Sequence, residues 1–425
     1  MKQFVSKIWN SPSARNVGKL LSANIIAQAI GLLVYPVLTR MYTPEDFGLL
    51  NLFLSIGGVL IILAGMEWYN AIVLPKRDSE ACAVVYLSCC SVLVFTLFLV
   101  ITIPFAKPIA KIFDVPEFAT YYWLMPFFVC FVGLWNILNY WYIRTKQYKR
   151  ISGYQISQSF FSAGYKICFA KLPFPGGLMY ATLLSPLCSL LISLKLVGAK
   201  TLRSIYAIES VKCREVAVKY ANFPKYSMPR SLLNSIVGQL PVLVLTPLFG
   251  PRFVGFWGMA LMLSFAPISM LSRALYQVLY QKTSEWVNNK QSIAQFYRKY
   301  TLYILMTVLP FFVVLWFFLP QLTAWLLGEE WVTVGKYIRW MLPWLTCSIL
   351  AASTGYLIDV FTKQKAGLFY EIMLAVSRSI GVGLGVVMRN FEIAIAGYAI
   401  GSALVNGIQY IWLLSLVRGY EKTLT

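Results

Sequence analysis

The sequence predicts an all-α integral membrane protein with about twelve transmembrane helices, arranged as two six-helix bundles related by a parallel repeat. Three observations support this prediction: an apolar composition, apolar stretches along the whole chain, and an internal repeat. Of the 425 residues, 59% are hydrophobic and 12% are charged. A soluble domain carries roughly 25% charged residues, so most of this chain is expected to lie in lipid.

Apolar stretches of about 20 residues recur from one end of the chain to the other, and Pro, Gly or charged residues separate them. These stretches predict helices near residues 19–39, 47–74, 81–103, 121–143, 151–171, 176–197, 226–249, 253–281, 299–319, 336–359, 366–388 and 393–417. The first stretch follows several basic residues, as a secretory signal does. It contains polar residues and is followed by Arg40 and Pro44 rather than by a small-residue cleavage site, which favours a retained first helix.

Basic residues are concentrated in alternate loops. The chain has 37 Lys and Arg against 16 Asp and Glu, a net charge of +21. Placing the amino terminus in the cytoplasm puts roughly four loop cations on that side for each one on the other, which is the charge bias of cytoplasmic loops. The bias predicts that both termini are cytoplasmic, and it accounts for the net charge without a nucleic-acid partner.

An internal repeat relates the two halves of the chain. A shift of 207 positions aligns residues of the first half with identical residues of the second half. The aligned pairs are Gly31 with Gly238, Leu33 with Leu240, Leu38 with Leu245, Thr39 with Thr246, Pro44 with Pro251 and Gly48 with Gly255. An even number of helices gives both halves the same orientation, with the repeat axis along the membrane normal. The predicted domains are an amino-terminal bundle at residues 1–197, a basic cytoplasmic linker at 198–225 that lies on an anionic membrane surface, and a carboxy-terminal bundle at 226–425.

Two segments resemble the polysaccharide-export flippases of the Wzx type. The first comprises residues 24–28 (Asn-Ile-Ile-Ala-Gln) and 38–48 (Leu-Thr-Arg-Met-Tyr-Thr-Pro-Glu-Asp-Phe-Gly). The second comprises residues 222–225 (Asn-Phe-Pro-Lys), Pro241 and residues 250–255 (Gly-Pro-Arg-Phe-Val-Gly). That family is part of the superfamily that also contains multidrug and toxin extruders and the lipid II flippase. Outside these segments the resemblance rests on length, helix number and the repeat.

The resemblance implies an alternation between inward-open and outward-open states around a cationic central cavity. The implied cargo is an undecaprenyl-pyrophosphate-linked oligosaccharide for the synthesis of O-antigen, the outer part of lipopolysaccharide, or of a capsule. The implied location is the bacterial inner membrane. The implied partners are this lipid-linked glycan, membrane lipids and other membrane proteins of polysaccharide assembly, and no nucleic acid is expected.

Charged residues inside the predicted helices are candidates for function, because a charge at the bilayer centre costs at least about 2.5–3.5 kcal/mol on insertion scales. An anionic pyrophosphate or acidic sugar needs cations along its path, and Arg offers a planar fork to phosphate oxygens. The candidate substrate-binding cations are Lys166, Arg378, Arg273, Arg230 and Arg40, the last directly after the first predicted helix. The polar candidates for the cavity are Asn24, Gln28, Asn234 and Gln239. Arg378 lies about 18 Å into its predicted helix, near the midplane.

Each group of candidates also has a structural interpretation. Arg230 is near enough to a helix end for its side chain to reach the interface. Arg378 shares a helix face with Glu371 at i, i+7, so these two residues are a candidate ion pair. The polar side chains are equally suited to hydrogen bonds between helices.

Glu67 and Arg273 are candidates for a cytoplasmic gate. The repeat offset carries Glu67 to position 274, next to Arg273, so the two opposite charges lie at nearly equivalent depths in the two bundles. The alternative is that each residue has a partner within its own bundle, since one position of offset rotates a helix face by about 100°.

No enzymatic chemistry is predicted. The chain has no His, the commonest general base, and its 8 cysteines show no metal-ligand spacing. The glycines at positions 381, 383 and 385 imitate a dinucleotide fingerprint, but no strand precedes them, and close helix packing is their expected role. We therefore expect no catalytic residue, metal ligand or cofactor. Without a nucleotide-binding motif, transport must run down a gradient or be coupled to an ion that the sequence does not identify.

Three alternative functions differ in what they require. A cation-coupled multidrug or small-molecule extruder of the same fold needs acids in its cavity, whereas the predicted helices carry more Lys and Arg than Asp and Glu. A membrane glycan polymerase or ligase needs a catalytic site in a sizeable external region, and the longest external stretches, near 104–121 and 320–336, are short and lack His. The two-lobed repeat argues against a channel or scaffold. The flippase is therefore the favoured prediction.

Overall fold

A computed structural model describes residues 12–172, 175–196, 210–352, 354–361 and 363–424. Among the candidate residues, the side chains of Asn24 and Arg273 lie outside the described residues. The described ranges contain twelve long helices, labelled α1 to α12, of which α7 is broken into two segments. Their bounds are Pro12–Leu38 (α1), Pro44–Gly65 (α2), Asp78–Ile101 (α3), Leu124–Arg144 (α4), Tyr148–Ala170 (α5), Gly177–Leu196 (α6), Phe223–Gly238 with Leu240–Phe249 (α7), Pro251–Asn288 (α8), Ala294–Leu327 (α9), Val332–Ala352 (α10), Gln364–Val387 (α11) and Phe391–Leu424 (α12).

The helices follow the predicted apolar stretches. Seven of them are long and apolar enough to cross a membrane, and α7 makes eight if its two segments form one span. No strand occurs in the described ranges. A chain in lipid must pair its backbone polar groups internally, and a helix does so within one segment. The predicted all-α membrane fold is confirmed.

Helix α2 differs from its predicted form. It begins at Pro44, three residues before the predicted start, because Thr43 caps the helix and forms a capping box with Asp46. It then ends at Gly65 rather than near residue 74, since Met66 and Glu67 both adopt left-handed backbone conformations, with φ of 45° and 60°. A short 3₁₀ helix, Trp68–Val73, follows this break. The prediction of one helix over 47–74 is therefore wrong for residues 66–74, because left-handed residues other than Gly are not signalled by an apolar sequence.

Helix α7 bends by 44° at Gln239, between its two segments. Pro241 contributes to this bend, because its nitrogen has no hydrogen to donate to the preceding turn. The Ser55 hydroxyl of α2 donates a hydrogen bond of 2.9 Å to Gln239 Oε1. The helix predicted over 226–249 is thus broken at Gln239, and a side-chain hydrogen bond joins this bend to α2.

The chain divides into two compact units, Met1–Pro251 and Arg252–Thr425. Helix α7 groups with the first unit, because both of its segments pack against α2. The boundary between these two units therefore lies after α7, and the predicted domains at 1–197, 198–225 and 226–425 stay a prediction.

A short linker helix, Ser210–Lys219, packs against α3 in the first unit. Val216 and Tyr220 are buried in the apolar cluster that α3 and α4 share. The Tyr220 hydroxyl donates to Glu80 at 3.0 Å, and Lys219 forms an ion pair with the same carboxylate at 2.5 Å. This carboxylate raises the pKa of Lys219 above its ordinary value. The linker predicted to lie on the membrane surface is thus held to the protein over this segment.

Close approach of α11 and α12 shapes the second unit. A Cβ on Gly381 would lie 2.3 Å from the carbonyl carbon of Gly397, and one on Gly385 would lie 2.2 Å from Cβ of Ala394. Gly383 faces open space, with nothing within 4 Å. Small residues of this kind let membrane helices approach closely. Two of the three glycines in the false dinucleotide pattern therefore serve helix packing.

Candidate functional site

Arg378 is the most distinctive charged residue of the second unit. It lies fourteen residues after the start of α11, about 21 Å along the helix. Its guanidinium carbon is 4.9 Å from the ring centre of Tyr398 and 5.4 Å from that of Trp344. Its Nε donates a hydrogen bond of 3.0 Å to Ser402 Oγ, and Ser402 in turn donates to the Tyr398 carbonyl at 2.7 Å. A cation is thus held against aromatic rings inside a membrane protein.

The rings of Trp344 and Tyr398, here called the aromatic cage, stabilise this charge. Both rings are almost fully buried, with exposed fractions of 4% and 3%, and they meet edge to face at 5.6 Å. A cation over a desolvated ring gains up to about 2 kcal/mol, which offsets part of the cost of burying it. Among the described residues Arg378 forms no ion pair, and in particular none with Glu371, which is exposed on the same helix.

The close crossing of α11 and α12 explains how the cage forms. Arg378 precedes Gly381 by one turn, and Tyr398 follows Gly397 directly in the sequence. Because the two glycines bring the backbones together, the Arg378 side chain one turn away reaches Ser402 and the Tyr398 ring. Trp344 completes the cage from α10, which also packs against α12.

The cage leaves donors available to a ligand. The two terminal amino groups of Arg378 donate no hydrogen bond to any described residue. Trp257, whose ring meets that of Tyr398 at 5.7 Å, has a buried Nε1 hydrogen with no acceptor in the described part of the chain. Planar guanidinium donors match the oxygens of a phosphate or a carboxylate. The site is therefore suited to an anion that brings its own acceptors.

Lys166 lies near the carboxy-terminal end of α5 in the first unit. Its backbone carbonyl accepts a hydrogen bond of 2.7 Å from the Tyr42 hydroxyl, which joins α5 to the turn after α1. Its ammonium group forms no hydrogen bond or ion pair with another described residue. Lys166 is thus a second cation, in the other unit, without a protein counterion in the described ranges.

Two other predicted cations are exposed. Arg40 is at the carboxy-terminal end of α1 and donates to the Pro36 carbonyl at 2.8 Å, so it caps that helix. Arg230 lies near the middle of the first segment of α7. The side chain of Arg273 lies outside the described residues. Among the described candidates, no two form a hydrogen bond or ion pair with one another.

The polar candidates occupy different environments. Gln239 is at the bend of α7, where it accepts the hydrogen bond from Ser55. Asn234 is exposed on the segment before that bend. Gln28 has a buried Oε1 with no hydrogen-bond donor among the described residues, and the side chain of Asn24 is not among those described.

Glu67 is buried at the break after α2, with 6% of its surface exposed. Its carboxylate accepts hydrogen bonds from the Tyr69 hydroxyl at 3.1 Å and from the Asn70 amide. These partners belong to its own unit. The proposed gate with Arg273 stays a prediction.

The residues that surround Arg378 were not predicted from the sequence. Trp344, Tyr398 and Ser402 come from two other helices, and none of them was a candidate. The one available signal was the position of Trp344. Aromatic residues of membrane proteins gather near helix ends, whereas Trp344 lies about twelve residues after the start of α10.

Comparison with known proteins identifies the family. A family model described as polysaccharide biosynthesis protein matches residues 37–335, more than half of the chain. The chain belongs to this family. The family assignment confirms the resemblance noted in the segments around Pro44 and Pro251.

A curated relative and several solved structures agree with the assignment. The chain is 20% identical over 411 residues to the succinoglycan biosynthesis transport protein ExoT of Rhizobium meliloti (strain 1021), covering 94% of this chain and 79% of that one. It superposes with a TM-score of 0.74 and 18% identity on a multidrug resistance MATE family transporter of the MOP superfamily in an inward-facing conformation, covering 95% of this chain and 99% of the other. A MOP superfamily transporter from Pyrococcus furiosus, described as having a binding pocket of reverse polarity, gives a TM-score of 0.63 at 16% identity, with 96% of each chain covered.

These similarities establish the fold. At such identities the structural matches show that this family member shares the helical fold of MOP-superfamily transporters. The protein is therefore a multi-pass membrane protein of the polysaccharide biosynthesis family, built on a transporter fold.

Proposed function

We propose that the protein is a flippase that moves undecaprenyl-pyrophosphate-linked oligosaccharide units across the bacterial inner membrane by alternating access. The units serve the synthesis of a surface polysaccharide such as O-antigen or capsule. The observation that carries the proposal is the caged guanidinium of Arg378, which has unfilled donors and no carboxylate partner among the described residues.

An anion is the ligand that this arrangement favours. A charge at membrane depth costs at least about 2.5–3.5 kcal/mol, and the cage offsets only part of that. A pyrophosphate or an acidic sugar that reaches Arg378 neutralises the charge and accepts the free donors, and such charge-assisted hydrogen bonds are about twice as strong as neutral ones. Lys166 offers a second cation to the same class of ligand.

Alternating access then requires unequal binding in two states. A cargo shifts the balance between inward-open and outward-open forms only by the difference in its affinity for them. In the proposal the two six-helix bundles inferred from the repeat alternate between these forms, with both termini in the cytoplasm. The cargo moves down its gradient or with a coupled ion, and other membrane proteins of polysaccharide assembly deliver and receive it.

The second candidate function is a cation-coupled multidrug extruder, because multidrug transporters share the fold. A cationic drug is repelled by an unpaired arginine, and the chemistry at Arg378 therefore favours the anionic lipid-linked glycan. The two functions can be distinguished by which ligand stabilises the protein against unfolding: a polyprenyl pyrophosphate glycan or a lipophilic cation.

Charge reversal at Arg378 tests the proposal. We expect Arg378→Glu to abolish glycan export while the protein stays in the membrane. Arg378→Lys should retain part of the activity, because it keeps the positive charge but loses the planar guanidinium group. Arg389→Glu, a reversal of an exposed arginine in the turn after α11, is the matched control and should export normally. Normal export by Arg378→Glu, or equal loss in the control, contradicts the proposal.

A further inference from the structure

Helix α5 carries a polar stripe along one face, formed by Ser152, Gln155, Ser159, Ser162 and Lys166. At about 100° per residue these five positions fall within an arc of about 80°. The stripe runs from the first turns of the helix almost to its carboxy-terminal end. Because polar residues are rare in membrane helices and costly against lipid, such a face is expected to have polar neighbours.

Helix α1 packs against α5 and brings Gln28 to the level of this stripe. The hydrogen bond from Tyr42 to the Lys166 carbonyl joins the carboxy-terminal ends of the two helices, so they run in the same direction. Gln28 precedes Tyr42 by fourteen residues, and Ser152 precedes Lys166 by the same number. At 1.5 Å per residue Ser152 lies about 21 Å and Gln155 about 17 Å from Lys166, while Gln28 lies about 15 Å from Leu38, where α1 ends just before the turn that carries Tyr42.

Three buried polar atoms at this level have no hydrogen-bond partner among the described residues: Gln28 Oε1, Ser152 Oγ and Gln155 Oε1. If these side chains served only to hold α1 against α5, they would be expected to bond to one another, and they do not. Buried polar atoms in proteins are almost always paired, and each exception needs an explanation. Here the unpaired atoms are mostly amide carbonyl oxygens, which accept hydrogen bonds and need a donor.

We propose that the polar stripe and Gln28 bind hydroxyl groups of an uncharged sugar in the cargo. The inference rests on the proposed function and adds to it a neutral subsite in the first unit, separate from the anion site at Arg378. Sugar hydroxyls supply the donors that the two glutamines lack. Since the atoms are covered in this conformation, binding must uncover them, and the cargo then stabilises the uncovered state by more than the covered one.

A bound cation is the competing occupant of carbonyl oxygens, and the charges argue against it. Neither α1 nor α5 contains an Asp or Glu anywhere along its length. Lys166 lies on the same face of α5, and its ammonium repels another cation. A hydroxyl-bearing ring therefore fits this surface better than a metal ion does.

The test compares two probes on the full-length protein in lipid nanodiscs. One probe is a short polyprenyl pyrophosphate carrying a neutral disaccharide, and the other is the same polyprenyl pyrophosphate without sugar. We expect Gln155→Leu, and separately Gln28→Leu, to lower the affinity for the glycosylated probe by about tenfold, as the loss of one buried hydrogen bond does. Affinity for the bare probe should not change. Gln158→Leu is the matched control, because this residue is on α5 about 80° from the centre of the stripe.

The outcomes separate this inference from the proposed function. If the wild type binds neither probe, the flippase proposal fails and the subsite fails with it. If the wild type binds both probes, the flippase proposal stands. The subsite is then refuted if the two glutamine variants keep full affinity for both probes or lose affinity for both equally. Repeating the titrations with Na⁺ replaced by choline covers the remaining case: a sodium dependence that the glutamine variants abolish, with sugar selectivity unchanged, identifies a cation site and overturns the inference.

Discussion

Replacing Gly381 by alanine should displace α12 from α11 and disrupt the site around Arg378. The added Cβ would lie 2.3 Å from the carbonyl carbon of Gly397 and 2.5 Å from the Tyr398 nitrogen. Carbon atoms pack at about 3.5–4.0 Å, so the helices must separate by about 1 Å or more. The atoms that Cβ meets belong to the backbone, and no flexible side chain can move aside to relieve the contact.

The expected cost has two parts. Overpacking a close contact costs about 1–3 kcal/mol. A displacement of about 1 Å also lengthens the hydrogen bond between Arg378 Nε and Ser402 Oγ, which measures 3.0 Å, to a length at which hydrogen bonds are no longer formed. A hydrogen bond to a charged group is worth about 1.5–3 kcal/mol.

Gly383→Ala is the matched control, because a Cβ at that position meets nothing within 4 Å. It should be neutral or stabilise α11 by up to about 1 kcal/mol through helix propensity. The assays are thermal unfolding of the purified protein in detergent and glycan export in cells. Equal melting temperatures and equal export for the two alanine variants would show that the crossing of α11 and α12 does not position the site.

Three further predictions concern the cage, the topology and a helix cap. Trp344→Leu should weaken binding of a polyprenyl pyrophosphate by a factor corresponding to about 0.5–2 kcal/mol. Trp325→Leu, at a Trp with 74% of its surface exposed, should not weaken it. Equal effects of the two substitutions would show that the cage does not contribute to binding. In a variant lacking the native cysteines, an impermeant thiol reagent added outside the cell should label Lys111→Cys and not Tyr148→Cys, and the reverse pattern contradicts the predicted topology. Glu421→Ala should lower the melting temperature, because this carboxylate accepts from the first backbone amides at the start of α9 at 2.7 and 2.9 Å and a helix cap is worth about 1 kcal/mol; an unchanged melting temperature refutes the cap.

Sequence patterns were sufficient to predict the helices, and the reason is the solvent. In lipid the backbone has no water to bond with, so an apolar stretch of about 20 residues has few alternatives to a helix. The same local logic predicted that Gly381 and Gly385 serve packing rather than nucleotide binding.

Tertiary structure alone decided where the helices break and what the charged residues contact. The left-handed residues Met66 and Glu67 carry no local signal, since a non-Gly residue adopts that conformation only where surrounding contacts compensate for it. The depth of Arg378 followed from counting residues, but its neighbours Trp344 and Tyr398 come from helices distant in sequence. A single sequence specifies the period of each helix, whereas which faces meet depends on the packing of several helices at once.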